Sequence, residues 1–476
     1  MMNEDGVVCI VISLSGSSLE LQQGWYREYL VPYYEGGVFF MDFFTNKKGV
    51  FIKMHILDEL AKRDLIQQTT DDDGLRKHLD NNIVTLYCGF DPTADSLHIG
   101  HLLPVLMLKR FQKAGHRPIA LIGGGTGLIG DPSGRSTERS LNSPEVVKGF
   151  SEKIKEQLAS ILNFDQGENS AVARNNHEWL ASLTFIEFLR DIGKHFSINY
   201  MLAKDSVESR LEGGLSFTEF SYMMLQSFDF LNLYEKENCT LQIGGSDQWG
   251  NITAGMELIR RKRFENEKEE AEVYGLTVPL ITKSDGTKFG KTAGGAVWLD
   301  PEKTTPYEFY QFWINTDDRD VIRFIKYFTF IDFDEIAALE KELEEAPEQR
   351  IPHKRLAEEM TKLVHGEEAL KQAQKITAAL FSGDLTSLNA AEIEQGFKDV
   401  PSVTIENKEI GLIDLLVEAN ISSSKRQARE DIKNGAIYIN GIRNQELTHQ
   451  LTEKDRIEDK FTIIRRGKKK YFLIRF

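Results

Sequence analysis

Two short stretches carry residue types at spacings suited to work on a phosphate. In Asp91-Pro92-Thr93-Ala94-Asp95-Ser96-Leu97-His98-Ile99-Gly100-His101, two imidazoles lie three residues apart with a glycine between them. That spacing puts both rings on one side of a helix's first turn, and Gly100 leaves room between them. A helix N-terminus attracts phosphate, and two donors there can hold the phosphates of ATP through a displacement. A metal pair is the rival reading, but zinc-binding helices use i, i+4 histidines and no third ligand is evident. A pair of core histidines is the blander alternative. The second stretch, Lys283-Ser284-Asp285-Gly286-Thr287-Lys288-Phe289-Gly290-Lys291-Thr292, is a glycine-bearing loop with lysines at 288 and 291. Such a loop can close on a polyphosphate in the transition state, where charge stabilisation raises the rate. Alone it would read as a solvated hairpin.

A third constellation concerns a smaller ligand. Phe217 to Tyr234 predicts a helix that is apolar nearly all round and therefore buried. Tyr222, Gln226 and Asp229 nevertheless form a polar stripe along it at spacings of four and three. Unpaired buried polar groups cost about 1–3 kcal/mol each, so the stripe must face partners or a polar ligand. Gly125-x-Gly127-x-x-Gly130 matches a dinucleotide fingerprint, but Asp131-Pro132-Ser133-Gly134 breaks the helix that should receive a pyrophosphate. Those glycines read instead as places where the backbone approaches a ligand closely, with Asp131 offering a carboxylate.

These residues need a scaffold. Short runs at Val84–Tyr87, Pro118–Ile122 and Cys239–Ile243 alternate with helical patterns, which predicts an α/β domain with a mainly parallel sheet. From Pro306 the pattern turns helical and acidic: residues 332–348 hold eight carboxylates broken by Ile336, Leu339 and Leu343, an exposed acidic helix face. Residues 400–408 read as a linker. Beyond it come two helices (Leu412–Ile421, Lys425–Asn434) and strands near Ala436–Ile439 and Phe461–Ile464, with Asn440-Gly441 as a turn.

The 476 residues suffice for about three domains. A composition 41% hydrophobic and 28% charged excludes wholesale disorder. No run approaches the length of a membrane helix, so a soluble protein is expected. Cys9, Cys88 and Cys239 exclude a disulfide scaffold and point to a reducing cytoplasm. The net charge of −15 hides an asymmetry: residues 405–476 hold 15 Lys/Arg against 11 Asp/Glu, a net of +4. An acidic body with a basic tail reads as an enzyme with a polyanion-binding module. Residues 1–53 differ from the rest. Val7–Ile12 is apolar but follows an acidic start, unlike a secretory signal, and amphipathic patterning begins only after Met54. This segment is expected to be disordered or to precede the true start.

Together these stretches resemble the class I aminoacyl-tRNA synthetases. His98-Ile99-Gly100-His101 and Lys288-Phe289-Gly290-Lys291-Thr292 look like the two class signatures, the second in the form usual in bacterial tyrosyl-tRNA synthetases. Tyr87-Cys88-Gly89-Phe90-Asp91, Gly127–Gly134 and Gly244–Asn251 extend the resemblance, which covers residues 54–476. It implies a Rossmann-like catalytic domain (54–301), an α-helical anticodon-binding domain (302–399) and a small α+β domain similar to the S4 RNA-binding module (409–476). The implied reaction activates tyrosine with ATP to tyrosyl-adenylate and pyrophosphate, then transfers tyrosine to the 3′ end of tRNA(Tyr).

The resemblance also implies residue roles. Asp229 and Tyr87 meet the phenolic hydroxyl; Tyr222, Gln226 and Asp131 meet the ammonium end; Gln248 lies near the carboxylate. Cys88 and Asp247 meet the ribose, and Thr93 and His98 the phosphates. Gly89, Asp91, Gly100, His101, Lys288 and Lys291 complete the ATP set, with Thr292 in the catalytic signature. Arg135 and Arg139 meet the tRNA acceptor end, and Arg465, Arg466, Lys468, Lys469 and Lys470 supply phosphate contacts. Magnesium accompanies ATP without a protein cage. Phe217 is implied at a homodimer interface, in the cytoplasm and away from membranes. Pro104 sits where the helix begun at His98 should continue, so a bend or shift is expected. A tryptophan-specific relative, or an RNA-binding protein with a retired site, are the other readings; the Tyr87/Asp229 pair argues against the former.

Overall fold

The computed structural model describes residues 54–476 except 135–140, 166, 212, 267–270, 288, 293–294, 407–408 and 468–469. Within residues 1–53 only the backbone of short strands is described, among them Tyr26–Leu30 paired antiparallel with Met41–Thr45. The expectation of disorder there therefore falls largely outside the described residues. Two compact units divide the chain: residues 1–91, 106–141 and 164–280 form the first, and 92–105, 142–163 and 281–476 the second.

A six-stranded sheet organises the first unit. Its order is Gln68–Thr69, Tyr274–Val278, Cys239–Gly245, Thr85–Phe90, Arg117–Ile122, Val172–Asn175. All neighbours are parallel except the Gln68–Thr69 edge. The inner strands are near-continuous apolar runs; after Arg117, all five residues of its strand are buried. A strand covered on both faces needs that composition. From Thr85–Phe90 the order runs outward to Val172–Asn175, then returns to place Cys239–Gly245 on the other side of Thr85–Phe90. The crevice beyond the carboxyl ends of those two strands is the switch point where such sheets bind ligands. Asp91 follows one of them and Asp247 and Gln248 the other.

Helix Phe217–Glu237 forms as the sequence predicts. The Ser216 hydroxyl caps it by accepting from Glu219 N, and Asn238 ends it at φ 52°, in the left-handed region that terminates helices. It packs on helix Trp249–Glu265. Gly255 allows that approach, since a Cβ there would press on Phe230.

The second unit carries the helices Pro306–Ile314, Asp318–Phe328, Phe333–Glu345, Ile351–Ser382 and Ala390–Gly396. Helix Ile351–Ser382 breaks at Gly366, whose φ of 86° only glycine adopts freely. The C-terminal sheet has the order Ser402–Thr404, Lys470–Arg475, Phe461–Arg466, Ile437–Ile439, Ile442–Asn444, beside helices Leu412–Glu418 and Lys425–Lys433. Asn440 and Gly441 turn between two of its strands with φ of 49° and 89°, as a two-residue hairpin loop requires. The segment read as a linker thus contains a strand: Ser402–Thr404 runs parallel to Lys470–Arg475. Nor is the terminal module separate. Ile376, Leu388, Ile393 and Phe397 share one apolar core with Phe461, Ile463 and Leu473. Among the described residues, no helix is long and apolar enough to cross a membrane.

Candidate active site

Asp229 is the deepest charged group of the predicted stripe, 2% exposed. A buried carboxylate survives only with donors, and two are supplied. Trp179 Nε1 donates to Oδ1 at 2.7 Å and Asn176 Nδ2 to Oδ2 at 2.9 Å. Burial raises the Asp229 pKa to about 7, against the opposing pull of those two hydrogen bonds. Asn176 is itself a junction: its amide donates to Thr126 Oγ1 at 2.9 Å and its oxygen accepts from Gly125 N at 2.7 Å. Thr126 Oγ1 then donates to Asp91 Oδ1 at 2.7 Å, and the Tyr222 hydroxyl donates to Asp91 Oδ2 at 2.8 Å. A continuous chain of hydrogen bonds therefore joins Trp179, Asp229, Asn176, Thr126, Asp91 and Tyr222. Beside it, the Tyr87 hydroxyl is buried without a partner among the described residues. Burial first, and the Asp229 carboxylate next, push its pKa well up. An unpaired buried hydroxyl near a buried carboxylate fits a missing polar ligand group.

A second network lies at the end of strand Cys239–Gly245. Gln248 Nε2 donates to Asp131 Oδ2 at 2.7 Å, and Gln226 Nε2 to Gln248 Oε1 at 3.3 Å. Asn251 Nδ2 bridges Gln226 Oε1 at 3.0 Å and Gln248 Oε1 at 3.2 Å. Burial raises the Asp247 pKa, and the neighbouring Asp131 charge adds to it. The structure thus gathers Gln226, Gln248, Asp131 and Asp247, while Tyr222 bonds to Asp91 and not to Asp131 or Gln226. Two carboxylates beside amides suit an ammonium group and hydroxyl donors. The Cys88 thiol is buried, with its pKa pushed up to about 12 by burial, so it acts as a neutral donor. Gly89 is exposed next to it.

Two glycines of this stretch lie tight against neighbouring side chains. A Cβ at Gly123 would strike the Asp91 carboxylate and the Thr126 hydroxyl, and one at Gly125 would meet Leu180. Gly123 thus makes room for the polar chain, and Gly125 chiefly for Leu180.

In the second unit the two class signatures meet. His98 and His101 form a 3-10 turn, Ile99–His101, ahead of helix Leu102–Ala114. Their rings stack with centroids 3.9 Å apart at 22°. His98 Nδ1 accepts from Gly100 N at 3.1 Å, and His101 Nδ1 from His98 N at 3.2 Å. Both Nδ1 atoms are thereby fixed as acceptors, so each neutral ring carries its proton on Nε2, a donor suited to phosphate. Pro104 lies just inside helix Leu102–Ala114. The α-helix starts only at Leu102, so the proline falls in a first turn where its missing N–H has no intrahelical acceptor to lose. Ile99 N donates to Val297 O and Val297 N to Gly290 O, both at 3.0 Å, which ties the histidine turn to the lysine loop. The backbone of Lys291–Thr292 pairs with Gly295–Ala296. Lys288 lies outside the described residues, as do Arg135, Arg139, Lys468 and Lys469, and the side chains of Lys291 and Thr292. Thr93 is exposed.

The basic tail divides by its contacts. Arg466 donates to Ile421 O at 2.6 Å and pairs with Asp431 at 2.9 Å, so part of its donor set is engaged internally. Arg465 instead lies on the Tyr438 ring, 3.9 Å from its centroid, and Lys470 is exposed.

Asn176, Trp179 and Thr126 were not singled out from sequence. The only signal for them was indirect: a buried aspartate on the Phe217–Glu237 helix demands donors from somewhere.

Comparison with known proteins gives the family. Residues 79–382 match the family described as tRNA synthetases class I (W and Y), and 392–474 the tyrosine–tRNA ligase SYY-like C-terminal domain. Over 423 residues the chain is 70% identical to the tyrosine–tRNA ligase of Oceanobacillus iheyensis, covering 88% of this chain and 99% of the relative. The Geobacillus stearothermophilus tyrosine–tRNA ligase is 66% identical over 423 residues, covering 89% of this chain and all (100%) of the relative. Among solved structures, a C-terminally truncated Aspergillus nidulans mitochondrial tyrosyl-tRNA synthetase superposes with a TM-score of 0.62 at 32% identity, covering 69% of this chain and 94% of that one. The chain belongs to the tyrosine–tRNA ligases of the class I tRNA synthetase family.

Proposed function

We propose that the tyrosine carboxylate attacks the α-phosphate of ATP at this site, forming tyrosyl-adenylate and releasing pyrophosphate. The terminal tRNA hydroxyl then takes the acyl group and AMP leaves. The carrying observation is the buried pair of Asp229, held by Trp179 and Asn176, and the partnerless Tyr87 hydroxyl. Together they can accept from and donate to a phenolic hydroxyl, which tryptophan lacks. Asp131, Gln226 and Gln248 suit the ammonium and carboxylate end. Asp247 and Cys88 suit the ribose, and Thr93, His98, His101, Lys288 and Lys291 the phosphates.

Catalysis in this reading is electrostatic. The Nε2–H groups of the stacked histidines and the two loop lysines stabilise charge that develops on the departing pyrophosphate, without a general base or covalent enzyme intermediate. Magnesium enters with ATP as part of the substrate. Arg465 and Lys470 would meet tRNA phosphates. A homodimer in the cytoplasm is part of the same reading, supported by Phe217, 67% exposed at the start of its helix. The test is ATP–pyrophosphate exchange across all amino acids, followed by charging of tRNA(Tyr). Exchange driven best by tyrosine is expected; exchange driven by tryptophan, or none, would overturn the reading.

A further inference from the structure

The lysine loop is gripped by a helix that carries none of the signature residues. Asp320, in the first turn of helix Asp318–Phe328, is 2% exposed. Its carboxylate accepts from Ser284 N and from Ser284 Oγ, each at 3.0 Å to Oδ2. Arg323, one turn further on, donates to Asp320 and also to Thr282 O at 2.7 Å. These contacts bracket Lys283 on both sides. Phe324 and Phe328 of the same helix receive the Phe289 ring, at centroid distances of 5.1 and 5.3 Å. Between the two grips the chain closes on itself. Lys283 N donates to Thr287 O at 3.2 Å, Gly286 N to Lys283 O at 3.0 Å, and Thr287 N to Asp285 Oδ1 at 2.8 Å.

A closed turn therefore ends at Thr287 and an aromatic seat begins at Phe289, on either side of Lys288 in the sequence. Beyond that seat, Gly290 O accepts from Val297 N, and Val297 O accepts from Ile99 N, between the two histidines. A carboxylate as buried as Asp320 is tolerated only with good donors. Both Ser284 donors belong to the loop, so the loop's position and the burial of Asp320 depend on each other.

We propose that Asp320 is a positioning residue for adenylate formation, holding the lysine loop at its Ser284 end while Phe289 holds it at the other. This rests on the reading that Lys288 and Lys291 act on ATP phosphates. Freed from Asp320, the loop would keep its lysines but lose their placement, and misplacement of about an ångström costs on the order of a hundredfold in rate. Tyrosine binding, which uses groups of the other unit, would be spared.

The experiment compares full-length wild type with Asp320→Asn, Lys288→Ala and the double variant. The readouts are pyrophosphate-exchange kcat, tyrosine Kd by equilibrium dialysis and thermal midpoint. Asp320→Asn should lower kcat about tenfold to a hundredfold, with tyrosine Kd within about twofold. In the Lys288→Ala background the same substitution should cost less than about threefold, because its effect passes through the lysine. Ser284→Ala, which removes one hydroxyl donor and no charge, should give a smaller loss of the same kind, and it replaces Asp320→Asn if that variant fails to fold. An unchanged kcat in Asp320→Asn, or an equal loss in both backgrounds, would overturn the inference alone, provided that Lys288→Ala is slow. A Lys288→Ala enzyme as fast as wild type would overturn the loop reading and this inference with it.

Discussion

The buried Asp229 gives a pH dependence whose sign can be worked out. Its pKa lies at about 7, raised by burial from an ordinary 3.8. That gap corresponds to about 4 kcal/mol between the two protonation states. With a raised folded-state pKa, the folded protein holds a proton that the unfolded chain has released. The group's contribution to the stability of ligand-free protein is thus complete below about pH 4 and is lost as the pH rises through 7. Tyrosine should act in the opposite direction. Trp179 and Asn176 already donate to the two oxygens of Asp229, so the carboxylate form is the one their N–H groups fit. A phenolic hydroxyl donating to it adds a third donor and favours ionisation further. Binding to the ionised form alone would weaken about tenfold between pH 8 and pH 6. Equilibrium dialysis of tyrosine across that range, on wild type and Asp229→Asn, measures the effect. The substitution should remove the slope and weaken binding at every pH, since its amide nitrogen faces the Asn176 donor. A flat profile in wild type, or the same slope in both proteins, would refute this reasoning.

Three further outcomes are expected. Alanine at His98, His101, Lys288 or Lys291 should raise the adenylation barrier by about 3–4 kcal/mol each while sparing tyrosine affinity; stopped-flow adenylate formation beside equilibrium binding measures both, and parallel losses would make these side chains structural. Arg465→Ala and Lys470→Ala should slow tRNA charging but not pyrophosphate exchange, and each should reduce the salt slope of tRNA binding by about one if its side chain neutralises a phosphate. Point substitutions are the right test because deleting the terminal module would strip Ile376 and Phe397 of Phe461, Ile463 and Leu473. Phe217→Asp should shift sedimentation towards monomer, and an unmoved sedimentation coefficient would take Phe217 out of any subunit interface.

Much of the scaffold was legible because its signals are local. Strand Arg117–Ile122 is a continuous apolar run, Asn440-Gly441 is a turn dipeptide, and Ser216 caps a long helix. Asp229 could be singled out because a carboxylate on a buried helix is anomalous within a few residues of text. Its partners could not: Asn176 and Trp179 lie about fifty positions upstream, and only the fold brings them near. Strand Ser402–Thr404 escaped for the same reason, being three residues long with its partner Lys470–Arg475 at the far end of the module. The histidine turn was half legible. Its spacing put the two rings on one side, but their mutual stacking and their capping bonds to Gly100 N and His98 N depend on backbone geometry that spacing leaves open. Arg466 shows the converse: a basic cluster reads alike whether its members face solvent or, like this one, an internal aspartate.

Discrimination between tyrosine and phenylalanine tests the pocket most directly. Phenylalanine would leave both the Tyr87 hydroxyl and the Asp229 carboxylate buried without their ligand partner. At about 1–3 kcal/mol for each unsatisfied group, the preference for tyrosine should be roughly 30-fold to 25,000-fold. The measurement is the ratio of kcat/KM for the two amino acids in pyrophosphate exchange, in wild type and in Tyr87→Phe. A large wild-type ratio that falls about tenfold in Tyr87→Phe, with Asp229 still able to accept the phenolic proton, is the expected result. A small wild-type ratio, or one that the substitution leaves unmoved, would place the phenolic hydroxyl somewhere other than between Tyr87 and Asp229.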